Sequence, residues 1–122
     1  MVGVSKTDLR RCIRNNFRKE YETMITRIWH GTTTLENSDE YLEKMKTVAL
    51  PDYRSTPGNK GAYVLHRIEG GIAHFNMLTF WENIDAVKKF AGEDCETPKY
   101  YEFDKNILLE LEDVSRNYDT YE

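Results

Sequence analysis

From Gly61 to Trp81 the chain reads GAYVLHRIEGGIAHFNMLTFW, two alternating runs rich in β-branched and aromatic residues on either side of Gly70-Gly71. Both glycines can take the positive φ that a tight primed turn demands, so the pattern predicts one long hairpin. Its register sets Ile68 opposite Ala73, Arg67 opposite His74, His66 opposite Phe75 and Leu65 opposite Asn76. One face then carries Ala62, Val64, His66, Ile68, Ala73, Phe75, Met77, Thr79 and Trp81 and is expected to lie under helices. The other carries Tyr63, Leu65, Arg67, Ile72, His74, Asn76, Leu78 and Phe80. Large apolar residues alternate there with hydrogen-bonding ones, a mixture suited to a semi-buried cavity or a subunit interface.

Around this hairpin the pattern predicts two helices and two outer strands. MITRIWHG, residues 24 to 31, alternates Ile25, Arg27 and Trp29 with Thr26, Ile28 and His30 and reads as the first strand, with its orientation left open by the pattern. Asn37 with Glu40 signals a helix start, and Tyr41, Leu42, Met45, Val48 and Ala49 give it an apolar stripe that Pro51 helps to end. Residues 51 to 61 form a turn-rich loop. Asn83 caps a second helix through Ile84, Val87, Phe90 and Ala91 to Gly92. Lys105 to Glu112 is expected as a short helix and Val114 to Tyr121 as the last strand. The order β-α-β-β-α-β is that of a ferredoxin-like α+β domain with both helices on one face of an antiparallel sheet.

Residues 1 to 22 differ in charge, +3 against −7 for the remainder, and carry Leu9, Cys12, Ile13, Phe17 and Tyr21 at helical spacing. They are expected to form a basic amphipathic extension, residues 1–23, ahead of a domain spanning 24–122. Packing of this helix on its own domain, or a non-native upstream extension, is the plainer reading, and a membrane-surface or partner-binding arm the alternative. At 122 residues, 31% charged and net −4, the chain is a single domain with no electrostatic case for nucleic acid. No apolar run suits a membrane span. Cys12 and Cys95 lack ligand spacing, so neither a zinc site nor a disulfide framework is expected, and a reducing cytoplasm fits best.

The Pro57-Gly58 turn into Gly61-Ala62, the strand ending Phe80-Trp81-Glu82 that runs into Ile84-Asp85-Ala86-Val87, and the late Tyr100-Tyr101 and Leu108-Leu109-Glu110 segment resemble the antibiotic-biosynthesis monooxygenase family over residues 24 to 122. The resemblance implies a dimeric α/β barrel in which two sheets face each other. It implies oxygenation of an aromatic or enolisable small molecule without cofactor. Related haem-degrading proteins hold iron through a histidine on the second helix, and residues 83 to 92 contain none.

If the domain is catalytic, His74 is the expected base, with Arg67 and Asn76 stabilising an oxyanion, because the hairpin register puts all three on one face. Tyr63 and Trp29 are assigned to stacking, Leu65, Leu78 and Phe80 to an apolar lining, and His30 to the cavity mouth. His66 and Trp81 are read as core residues. A non-catalytic dimeric ligand-binding or accessory domain is the alternative. No metal-ligand, nucleophile-elbow or phosphate-loop pattern appears in the sequence.

Overall fold

A computed structural model describes residues 23–122; the basic helical extension expected at the N-terminus lies outside the described residues. Four antiparallel strands form one sheet in the order β2-β3-β1-β4: β1 Met24–Thr34, β2 Asn59–Glu69, β3 Ile72–Trp81 and β4 Arg116–Thr120. Helices α1 (Leu35–Lys44), α2 (Leu50–Ser55) and α3 (Ile84–Ala91) cover one face, and α4 (Asp104–Ile107) is a single turn. This is the ferredoxin-like α+β arrangement. The hairpin register is the expected one from Gly61↔Phe80 to Glu69↔Ile72, with a shift between Asn59 and Gly61 that sets Asn59 opposite Trp81, and Gly70 and Gly71 close the turn at φ 62° and 77°, values open to glycine without a Cβ penalty.

Burial along β1 decides its orientation. Ile25, Arg27, Trp29, Gly31 and Thr33 are buried under the helices, while Thr26, Ile28, His30 and Thr32 face the open side. The sequence pattern could not choose, because each set holds an apolar and a polar member. Arg27 resolves it: its guanidinium, 1% exposed, donates to the carbonyls of Cys95 and, at 2.8 Å, Thr97, and to Asn117 Oδ1 at 3.4 Å. A charge can lie beneath the sheet because carbonyl oxygens satisfy it there. Trp29 is therefore a core residue, not a stacking surface beside Tyr63. A Cβ on Gly31 would lie 2.5 Å from the Trp29 ring, so the strand needs glycine there for the indole to pack.

Pro51 does not end the first helical run. Met45–Ala49 widens into a π turn, in which the Leu50 amide reaches Met45 O, and Pro51 then sits in the first turn of α2, where a missing N–H costs nothing. The extra residue rotates the stripe. Tyr41, Met45 and Ala49 are buried, Val48 turns outward, and Leu50 and Tyr53 continue the core. Tyr53 stacks on Phe90 at 4.2 Å, and both rings lie against Trp81, which is fully buried as expected.

Three further expectations change. The helix layer stops short of the hairpin tip, leaving His66 and Ile68 exposed; His66 rests on Phe75 at the edge of the core. The helix expected over Lys105 to Glu112 closes after Ile107, and residues 108–115 run irregularly along the sheet edge. Cys95 is fully buried and disulfide-bonded, where no disulfide was expected.

Candidate functional site

The open face of the sheet is built in rows by strand register. Leu78 lies between Tyr63 and Ile28, Asn76 between Leu65 and His30, and His74 between Arg67 and Thr32. On β1, Thr26 and Ile28 meet Tyr118 and Arg116 of β4. Tyr63, Leu65 and Tyr118 are exposed, Ile28, Leu78 and Phe80 are half-buried, and Tyr63 meets Phe80 edge-on at 6.3 Å. One end of the face is thus apolar and the other polar.

At the polar end three side chains form a hydrogen-bonded chain. His30 Nδ1 lies 2.6 Å from Glu112 Oε2, and His30 Nε2 lies 3.2 Å from His74 Nδ1. The two rings stand nearly parallel, 5.5 Å apart. A carboxylate only accepts, so His30 donates from Nδ1, and with both imidazoles neutral its Nε2 offers a lone pair to His74. His74 then donates from Nδ1, which leaves its Nε2 with a lone pair directed away from the pair. The arrangement stabilises His74 as an acceptor, and a proton gained at Nε2 produces an imidazolium whose Nδ1–H is already bonded.

Glu112 reaches His30 because β4 pairs with β1 only as far as Ile28. Beyond that point the irregular segment occupies the strand edge, with the Leu109 amide donating to Thr32 O at 2.9 Å. A cleft of about 380 Å³ opens between this segment and the sheet, lined by Ile28, His30, Glu112, Asp113, Val114, Arg116 and Tyr118. Its size suits a small organic molecule.

Of the residues chosen from sequence, His74 and His30 come together directly. Asn76 is directly across from His30 on the same face, whereas Arg67, though across from His74, points its guanidinium into solvent at 75% exposure, 3.4 Å from Glu69. Tyr63, Leu65, Leu78 and Phe80 share the face as expected. Trp29 lies on its other side, 3% exposed. Sequence reasoning missed Glu112 and the lining residues from β4. Only the strand order brings Glu112 to His30, and no spacing in the chain signals it. Among the described residues no group of three or more His, Cys, Asp or Glu is placed to hold a metal ion, and no helix is long and apolar enough to cross a membrane.

The fold is shared with a crystal structure of a Bacillus cereus protein provisionally named an antibiotic biosynthesis monooxygenase. The two superpose with a TM-score of 0.58 over 82% of this chain and 95% of that one, at 14% sequence identity. No family model matches the chain, and no curated protein matches it in sequence. The likeness establishes an architecture of that type; chemistry is argued from the site.

Proposed function

We propose that the protein is an antibiotic-biosynthesis-monooxygenase-like domain that takes up a phenolic or enolisable small molecule on its open sheet face, with His74 as the base. The observation that supports this most is the Glu112–His30–His74 chain: Glu112 and His30 line a cleft of ligand size, and His74 is one hydrogen bond further along the same face. In this reading His74 removes a proton, and His30 with Glu112 fixes its tautomer and stabilises the cation that forms. The deprotonated ligand supplies the electrons that reduce dioxygen. Asn76, across from His30, is the residue of the original oxyanion pair best placed to meet the ligand oxygen. Arg67 would have to turn inward to join it.

The exposed apolar end of the face supports a second copy of the chain as its cover, the two sheets meeting in a two-fold contact. The test of function is oxygen uptake by purified protein with a panel of quinols and anthrones, without added metal or flavin. Uptake at a rate above the uncatalysed one is expected. Saturable ligand binding without uptake would favour the alternative, a non-catalytic binding domain in which Glu112 and His30 only fasten the segment to the sheet.

A further inference from the structure

Glu112 stands in a stretch without regular structure, yet its carboxylate must be held on His30 for the hydrogen-bonded chain to exist. A glutamate at a partly exposed site spends rotamer entropy to keep one geometry, and water competes for both partners. Besides the Glu112–His30 contact, residues 108–115 are tethered by the Leu108 amide to Asp104 O, the Leu109 amide to Thr32 O, the Ser115 amide to Glu96 O, and the Tyr100 hydroxyl to Glu112 O at 2.6 Å. Of these, only the last acts at Glu112 itself, and it comes from a side chain fixed from behind. The Tyr100 ring meets Trp29 edge-on at 6.3 Å, and that indole is buried among the helices. Burial, with the nearby Glu112 charge adding to it, pushes the Tyr100 phenol up to about 12, so the hydroxyl remains a donor across the working range.

We propose that Tyr100 is the positioning residue of the site: by holding the Glu112 main chain it sets the carboxylate on His30 and so the tautomer of the His30–His74 pair. Through it the core beneath the sheet governs the geometry of the face above. This rests on the reading of the hydrogen-bonded chain given under Proposed function.

The test uses Tyr100→Phe, which removes one oxygen and leaves the ring against Trp29, followed by proton–nitrogen NMR of the imidazoles. The intact protein is expected to show His30 as the Nδ1–H form with a downfield, slowly exchanging proton. Tyr100→Phe should lose that proton and mix the His30 tautomers while near-ultraviolet dichroism stays native. With a substrate in hand, kcat should fall by up to about a hundredfold with KM little changed, the scale of misplacing a reacting group. An unaltered His30 signal in Tyr100→Phe would overturn the proposal. Glu112→Ala, which removes the acceptor, separates the two levels of inference. If it too leaves the signal unaltered, the hydrogen-bonded chain itself is wrong; if only Tyr100→Phe does, the chain stands and Tyr100 has no part in it.

Discussion

His30 Nδ1 and Glu112 Oε2 meet at 2.6 Å although one lies on the first strand and the other on an irregular segment just before the last. That contact orders two histidines on neighbouring strands, since in their neutral forms it sets which ring nitrogen of each carries the proton. Asp113 and Arg116 line the same cleft as His30 and Glu112.

The open face should bury itself against a second copy. Leu78→Asp places a carboxylate in the middle of the apolar rows, and desolvating it would cost several kcal/mol. Sedimentation at micromolar concentration should show a dimer for the parent protein and a monomer for the variant. A parent protein that sediments as a monomer would contradict this.

Most of the fold is legible in the sequence because it rests on local signals. The Gly70-Gly71 turn fixes the hairpin register, and Asn83 caps α3 by accepting from the Ala86 amide at 2.9 Å. What the sequence hid depends on contacts between distant segments. The orientation of β1 follows from carbonyls of residues 95 and 97 that receive Arg27, and the continuation through Pro51 follows from a π turn that no propensity announces. Half of the candidate site was visible for the same reason. His74 and its face come from the hairpin alone, whereas Glu112 arrives through strand order.

Arg27→Met should destabilise the domain by about 3 kcal/mol. The variant fills the space but leaves the partly buried Thr97 carbonyl without the guanidinium and Cys95 O with Asn117 Nδ2 as its remaining donor, and a stranded acceptor costs about 1 to 3 kcal/mol. Denaturant unfolding measures this, and a variant as stable as the parent would show that water or neighbouring groups replace the guanidinium.

Asp52 should make stability depend on acid pH. Its partial burial works against the charge, but hydrogen bonds from Lys99 Nζ and the Tyr101 hydroxyl, both at 2.7 Å, outweigh it and hold the carboxyl below its ordinary value of 3.8. A lowered folded-state value contributes stability above that ordinary value and loses it as pH falls through the folded one. Asp52→Asn should therefore cost about 0.5 to 1 kcal/mol at pH 7, discounted for the partial exposure of both partners, and progressively less below pH 3.8. Asp104 has the opposite sign, because burial raises its value despite the Tyr41 and Tyr101 donors; its contribution fades as pH rises above 3.8. A penalty for Asp52→Asn that is constant from pH 7 to pH 2 would contradict the assignment.

The central claim is that His74 takes the proton. With a substrate found by oxygen uptake, turnover of His74→Ala measured beside its ligand affinity tests it most directly. The account predicts a fall in turnover of about a hundredfold or more, the usual scale for losing a general base, with binding and sedimentation little changed. Full turnover in His74→Ala would contradict it.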